Sequence, residues 1–239
     1  MEANELINNF LEYPVIHRKD ITLYYKQIEP TLKQSAIDWR IHNFVEKGVL
    51  KRIGNGKYVA GQTKNYIPVI ENELVTLCRK LHKKYPLLSF CIWNTRQFNE
   101  FMLHQPAHFY SIVETEKDSS EYVFHYIKEI YKEVYLNPTK AEIEKYVSLA
   151  QNAYVVKDLI SESPIQKTDK IPTITIEKML VDAFCDADLY NAQQGSELET
   201  IFKTAFEKYT INRTKLFRYA NRRKRKTELS EFIHYLNIL

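Results

Sequence analysis

Polar and cationic side chains cluster between residues 33 and 43 in a pattern that suits the reading of DNA bases. The amide groups of Gln and Asn can pair with adenine, and Arg and Lys can contact guanine or a backbone phosphate. A helix over this segment would carry one polar face, with further polar residues beside it. The candidate contacts of such a recognition helix in the major groove are Lys33, Gln34, Ser35, Trp39, Arg40, His42 and Asn43.

A short basic segment follows, and its charges suit contacts with phosphate groups. Lys51, Arg52 and Lys57 lie within VLKRIGNGKYVA, and no acidic residue occurs between Lys47 and Lys57. The Gly-Asn-Gly sequence at 54–56 interrupts two β-rich runs and predicts a tight hairpin turn with positive φ angles. We therefore expect a hairpin beside the recognition helix that carries three cations and has Asn55 in its turn, and we predict that Lys51, Arg52, Asn55 and Lys57 contact DNA.

A second basic region lies near the end of the chain. Residues 213–226 contain eight Lys or Arg residues and no acidic residue. Arg218, Arg222 and Arg225 are spaced i, i+4 and i+7, so one continuous helix would place them on a shared face, with Arg223 adding charge. We expect this region to contact nucleic acid through phosphates. An acidic protein partner and a solvated helix end are the alternatives.

Candidate catalytic groups are sparse. A metal-dependent nuclease would need a carboxylate followed two residues later by lysine, but Glu114 in SIVETEK is followed at that distance by Glu116. Alternating solvent-facing charges on a strand explain this segment better. Glu177 and Asp182 are five residues apart, which favours charges at a first helical turn and on the surface. We predict no catalytic residue, metal or cofactor; a nuclease or nucleotidyltransferase-type enzymatic domain is the alternative.

Three predicted helices and the hairpin position the first set of candidate residues. The helices cover residues 5–13, 19–28 and 33–47, and Pro14, Pro30 and Gly48 mark their ends. Three helices followed by a hairpin is the order of a winged helix-turn-helix, so residues 1–62 are predicted to bind double-stranded DNA. A winged helix that binds protein is the alternative. The predicted inward-facing residues of the second and third helices are Ile21, Tyr24, Tyr25, Ile28, Ile37, Ile41, Phe44 and Val45.

The remainder, residues 71–239, is predicted to be a small α/β domain with a helical C-terminal end, joined by a linker at residues 63–70. Strand-like runs at 88–93, 109–115, 134–136 and 153–160 alternate with helical segments, which indicates a largely parallel or mixed sheet. Further helices are predicted at 176–187, 197–209, 213–224 and 228–237. The predicted fold class is therefore α+β, an N-terminal winged helix-turn-helix followed by this second domain.

Composition and charge narrow the class of protein. The net charge is +4, but residues 63–212 carry −4 and residues 213–226 carry +8, and such asymmetry suggests a polyanionic partner. Cys78, Cys91 and Cys185 lack the spacing of a zinc site and are interpreted as reduced thiols. The sequence has no signal-peptide pattern and no apolar run of about 18 residues. We expect a cytoplasmic, nucleoid-associated protein without membrane contact.

Two segments resemble the antitoxin family of the type IV abortive-infection system of bacteria, AbiEi. SAIDWRIHNFVEKGVLKRIGNGKYV is similar to that family's winged helix and its Gly-Lys-Tyr wing exit. IPTITIEKMLVDAF resembles a segment that leads into a helix carrying Glu and, five residues later, Asp, which are Glu177 and Asp182 here. The helical C-terminal end, which contains LFRYANRRKRK, also resembles the end of that family's proteins.

The resemblance implies two roles within phage defence. One is transcription regulation, in which the winged helix represses the protein's own operon by binding its operator. The other is neutralisation of a nucleotidyltransferase-like toxin without a stable complex. A stand-alone repressor with a ligand-sensing second domain is the alternative.

Overall fold

The computed structural model describes residues 6, 9–10, 13, 15–60 and 65–238. The structure is mixed α+β, which confirms the predicted class at that level. Two compact units are present. Unit 1 combines Met1–Tyr66 with Phe206–Thr214, and unit 2 combines Ile67–Ala205 with Lys215–Leu239. No pattern in the sequence indicates that residues 206–214 belong with the first unit.

Between residues 15 and 60, unit 1 contains two helices and three short strands, which are β1 (Ile16–His17), α1 (Arg18–Ile28), α2 (Gln34–Glu46), β2 (Leu50–Gly54) and β3 (Lys57–Ala60). The strands are antiparallel in the order β1–β3–β2. The bounds of α1 and α2 agree with the second and third predicted helices to within one residue. Strand β1 was not predicted. The predicted helix at 5–13 lies mostly outside the described residues, although Leu6 and Phe10 are helical and buried.

The core of unit 1 forms because α2 turns one apolar face inward. Ile37, Ile41 and Phe44 are buried in a cluster that also contains Ile21 and Tyr25 of α1. The prediction that Ile28 faces inward is wrong. It is the last residue of α1, and its side chain is 64% exposed. The helix therefore extends one turn beyond the packed cluster.

Gly48 is the residue that lets the chain leave α2 and enter β2. Its φ angle is +71°, which glycine adopts without steric cost. A Cβ atom at Gly48 would also collide with the side chain of Thr210, which belongs to the same unit. The rings of Tyr66 and Tyr209 also pack edge to face, with centroids 5.3 Å apart. Residues 206–214 are thus packed into unit 1.

A four-stranded mixed sheet lies at the centre of unit 2. Its strands are β4 (Phe90–Asn94), β5 (Phe109–Thr115), β6 (Val134–Leu136) and β7 (Asn152–Asp158). The order is β4–β5–β7–β6; β4 is antiparallel to β5, and the other pairs are parallel, so the predicted mixed sheet is confirmed. The first three helices of this unit are α3 (Asn72–Lys84), α4 (Ser120–Lys128) and α5 (Lys140–Lys145).

The last part of the chain adds a hairpin and four helices. The hairpin is formed by β8 (Ile165–Thr168) and β9 (Ile171–Ile174) and was not predicted. The helices are α6 (Ile176–Cys185), α7 (Ser196–Lys208), α8 (Arg213–Arg222) and α9 (Lys226–Tyr235). Among the described residues, no helix has both the length and the apolar character needed to cross a membrane.

Candidate nucleic-acid interface

The outer face of α2 presents the polar residues that the sequence singled out. Because Ile37, Ile41 and Phe44 point into the core, the opposite side of the helix faces outward. Ser35, Trp39 and His42 are exposed there, and Trp39 retains 64% of its surface although it is large and aromatic. Asn43 is partly exposed, and Lys33 and Gln34 are exposed at the start of the helix. The helix therefore offers a polar surface with one protruding aromatic ring.

Asp38, an acidic residue that was not predicted to belong to this surface, also lies on α2, and Arg18 neutralises it. Arg18 Nε donates to Asp38 Oδ1 at 3.0 Å, and its Nη2 donates to Oδ2 at 2.6 Å. Gln34 Nε2 donates to Asp38 Oδ1 at 3.1 Å. The hydrogen bonds from Arg18 lower the pKa of Asp38 below its ordinary value. A carboxylate that would repel phosphate is thereby held by a cation on the same surface.

The β2–β3 hairpin carries cations that have no carboxylate partner in the described part of the chain. Lys51, Arg52 and Lys57 are exposed, and none of them forms an ion pair with another residue that the structure describes. Arg52 folds back over the turn, where its Nε donates to the carbonyl oxygen of Gly54 at 3.2 Å and its Nη2 to Asn55 Oδ1 at 3.4 Å. The hairpin thus presents three positive charges that remain available to an anion.

A groove of about 330 Å³ separates α2 from the hairpin. It brings together His42 of the helix and Arg52 and Asn55 of the hairpin, which the sequence predicted as members of one site. Arg18 and Tyr58 also line its walls, and neither was predicted. No local spacing reveals Arg18, because the carboxylate that it binds lies twenty residues later in the chain.

Arg40 contributes less exposed charge to the polar surface of α2 than the sequence predicted. Its guanidinium lies 3.7 Å from Glu29 and 4.8 Å from the centroid of the Tyr25 ring. The side chain is only 23% exposed. Arg40 therefore ties α2 to α1, and its charge is already engaged within unit 1.

The prediction of one continuous helix face in the second basic region, residues 213–226, is wrong. Helix α8 ends at Arg222, and Lys224 has a φ angle of +57°, so Arg225 does not continue the face of Arg218 and Arg222. Arg218 and Arg222 are exposed, but both pair with Glu162. Arg225 Nε lies 3.1 Å from Glu228, and its guanidinium lies over the ring of Phe184. The predicted continuous arginine face does not exist.

Arg223 was predicted to contact DNA, and its environment argues against this role. Its side chain is 11% exposed, and its guanidinium pairs with Asp186 and lies 3.7 Å from Asp182. Lys157 Nζ reaches the other oxygen of Asp186 at 2.6 Å. Burial alone would raise the pKa of Asp186, but Lys157 and Arg223 outweigh it and lower that pKa. Arg223 is thus part of the interior charge balance of unit 2.

Two acids predicted to face solvent are instead buried beside a lysine. Lys178 Nζ of α6 lies 2.9 Å from Glu114 Oε1 of β5 and 2.5 Å from Asp182 Oδ2. The lysine and Asp182 have no exposed surface, and Glu114 is 1% exposed. Tyr219 Oη donates to Asp182 Oδ1 at 2.7 Å. Burial opposes the charge on Lys178, but Asp182 and Glu114 outweigh it and raise its pKa, so the lysine stays protonated.

The predictions for Glu114, Glu177 and Asp182 were therefore wrong about exposure. Glu177 does lie in the first turn of α6, but it is only 6% exposed. The lysine that the SIVETEK segment lacks comes from α6, 64 residues after Glu114. This buried trio of Glu114, Lys178 and Asp182 has almost no surface through which to meet a substrate. Among the described residues, no group of three or more His, Cys, Asp or Glu side chains is arranged to hold a metal ion.

The sequence matches a known family over most of its length. The model described as "Family of unknown function (DUF6577)" matches residues 36–238, which is most of the chain. The match begins within α2 and includes the hairpin and the whole of the described part of unit 2. None of the curated proteins is significantly similar to this sequence.

Proposed function

The chain belongs to the DUF6577 family, whose function is unknown, and we propose that it binds double-stranded DNA through unit 1. In this proposal unit 1 is a winged helix-turn-helix, with α2 as the recognition helix and the β2–β3 hairpin as the wing. One observation carries the proposal. The polar side of α2 borders the same groove as the hairpin, whose cations have no carboxylate partner among the described residues.

The two parts of this surface would have different tasks. Ser35, His42 and Asn43 project from α2 and are short enough to meet base edges when the helix lies in the major groove. Lys51, Arg52 and Lys57 would meet phosphates, which position the protein without reading sequence. Arg18 supports both tasks, because it removes the charge of Asp38 from a face that must approach a polyanion.

The full chain is the appropriate material for the test, since residues 206–214 pack into unit 1 and a fragment that ends at residue 62 would lack them. Duplexes that bind would be selected from a random-sequence pool, and affinity would be measured by fluorescence anisotropy for a selected duplex and a scrambled one. Asn43→Ala should reduce affinity for the selected duplex by about tenfold, with little effect on the scrambled one.

A charge-matched control separates the wing from net charge. The wing variant changes Lys51, Arg52 and Lys57 to Gln and should weaken both duplexes alike. The control variant changes Lys80, Lys83 and Lys117 to Gln; these lysines are exposed in unit 2. Equal effects of the two variants would refute the assignment of the wing.

We further propose that the chain acts as an AbiEi-like antitoxin, with DNA binding by unit 1 serving repression of its own operon. The support is the resemblance itself, whose two segments correspond to α2–β2–β3 and to β9–α6. The test co-expresses the full chain with the neighbouring toxin gene and measures growth and promoter activity. The wing variant should restore growth while it fails to repress. Absence of rescue by the full chain would contradict the antitoxin role, and loss of rescue in the wing variant would move that role to unit 1.

A further inference from the structure

Unit 2 contains a cavity of about 590 Å³ that is lined by four tyrosines. It lies where the parallel strands β6 and β7 begin, and Tyr135 and Tyr154 come from these strands. Tyr131 precedes β6, and Tyr146 follows α5. Cavities of this volume hold small organic molecules in other proteins. None of these residues belongs to the DNA-binding surface proposed for unit 1.

The tyrosine rings offer flat surfaces on which another ring can stack. The rings of Tyr131 and Tyr154 are already stacked, with centroids 4.1 Å apart and an interplanar angle of 28°. Tyr146 lines the cavity and is 56% exposed, so its ring is accessible. Stacking on aromatic side chains is the common way in which proteins hold single nucleobases.

Two of the tyrosine hydroxyls in this cavity are enclosed or already bonded. Tyr154 is 2% exposed, and its hydroxyl has almost no exposed surface. Burial and a hydrogen bond with the Tyr131 side chain raise the pKa of Tyr154, so the hydroxyl keeps its proton. The hydroxyl of Tyr135 donates to Glu133 at 2.6 Å. Neither hydroxyl is therefore assigned a bond to a ligand.

Charged and amide groups lie around the rings. Lys132 and Lys145 line the cavity, are exposed, and pair with no carboxylate in the described part of the chain. The amides of Gln151 and Asn152 line it as well and can both donate and accept hydrogen bonds. The carboxylates of Glu73 and Glu133 are also in the lining. That of Glu133 accepts from Tyr135, and that of Glu73 can accept from an amino group of a base. Aromatic surface, edge-bonding groups and two lysines match a molecule with a flat heterocycle and an anionic group.

We propose that this cavity binds a nucleotide. The base stacks on the exposed ring surface of Tyr146 and Tyr131, the amides of Gln151 and Asn152 bond its edge, and Lys132 and Lys145 meet the phosphate. A free mononucleotide and a nucleotide within a single strand share this chemistry. The probes are therefore AMP, GMP, CMP and UMP, adenosine, and a single-stranded RNA hexamer, each titrated into the full chain by isothermal titration calorimetry.

Two variants test the parts of the site. Tyr146→Ala should weaken binding of the preferred probe by about tenfold, as expected when one stacking ring is removed. Lys132→Gln with Lys145→Gln should weaken a mononucleotide by a similar factor and leave adenosine unchanged.

Matched controls are Tyr122→Ala and the pair Lys80→Gln with Lys83→Gln, since these side chains are exposed in unit 2 and lie outside the cavity. Binding of a mononucleotide that is abolished in the cavity variants and kept in the controls supports a free nucleotide as ligand. Binding of the hexamer alone with the same pattern supports a strand. Absence of binding by every probe at millimolar concentration, or binding that the cavity variants leave unchanged, would overturn the proposal.

Discussion

The β2–β3 hairpin and helix α8 are both basic in sequence, yet their cations are held in different ways. In the hairpin, Lys51, Arg52 and Lys57 have no carboxylate partner among the described residues. In α8 and the turn after it, by contrast, the arginines that would form a DNA-binding face bond carboxylates of their own unit, with Arg223 on Asp186 as the most buried case. A basic segment of the sequence can therefore either leave its cations exposed without carboxylate partners or pair them with carboxylates of the same unit.

This contrast shows that a candidate nucleic-acid interface depends on where the acids lie in space. Arg218 and Arg222 meet Glu162, which lies more than fifty residues earlier in the chain. On the helix face beside the hairpin, the carboxylate of Asp38 is taken by Arg18. Removal of a cation from a buried ion pair should therefore reduce stability, and removal of a hairpin cation without a carboxylate partner should reduce DNA binding.

The substitution predicted to destabilise the protein most is Lys178→Met. The change leaves Glu114 and Asp182 buried without their cation, and breaking such a pair costs about 3–5 kcal/mol. Urea denaturation of the full chain, followed by far-UV circular dichroism, measures the loss in unit 2. Lys167→Met is the control, since Lys167 is exposed in β8 and should change the free energy of unfolding by less than about 0.5 kcal/mol. Similar values for the two variants would show that the buried trio is not paired as described.

A smaller loss of stability is expected from Arg223→Gln. The change removes the partner of the half-buried Asp186 and should cost about 1–3 kcal/mol. Affinity for DNA should stay within about twofold of the unmodified protein, since this cation hardly reaches the surface. Arg222→Gln is the neighbouring control, and its exposed pair should contribute little. A drop in DNA affinity with unchanged stability would reverse the assignment of Arg223.

The pH dependence of stability should reveal the same pairing. The pKa of Asp186 is lowered in the folded state, so its contribution is complete above the ordinary Asp pKa of about 3.9 and is lost as pH falls through the folded value. Asp186→Asn should therefore lower the melting temperature at pH 7 and have less effect at pH 2.5. An equal difference at both values would contradict the ionised pair with Lys157 and Arg223.

A modest change in DNA affinity is predicted when the ion pair between Arg18 and Asp38 is broken. Arg18→Gln frees the carboxylate of Asp38 and should weaken DNA binding by about threefold, which is typical of an exposed charge. The added change Asp38→Asn should restore the affinity, because the repelling charge is then absent. Failure of the double variant to recover would mean that Arg18 contacts DNA itself.

Local patterns were sufficient to predict most of the described elements of unit 1. The apolar spacing of Ile37, Ile41 and Phe44 predicted α2, and the glycines at 54 and 56 predicted the hairpin. The β8–β9 hairpin was missed because its two-residue turn uses Asp169 and Lys170 at positive φ, which glycine or asparagine would have signalled.

Such local patterns do not predict contacts between residues that are far apart in the sequence. Glu114 resembled an exposed strand charge because its partner Lys178 comes from a helix 64 residues later. The arginines of α8 resembled a free basic face because Glu162 and Asp186 are also remote in sequence. Spacing along the chain shows which side chains share a face of one element, and it does not show which element covers that face.

The salt dependence of DNA binding distinguishes the two basic regions without ambiguity. The wing variant, in which Lys51, Arg52 and Lys57 become Gln, is compared with a second variant of helix α8 and the turn after it. In this second variant, called the α8 variant, Arg218, Arg222 and Arg225 become Gln. The slope of log affinity against log salt concentration falls by about 0.9 for each phosphate that the protein no longer neutralises. The wing variant should lower the slope by about two to three units, and the α8 variant by less than about one. A slope that the α8 variant lowers as much as the wing variant does would contradict DNA binding through Lys51, Arg52 and Lys57.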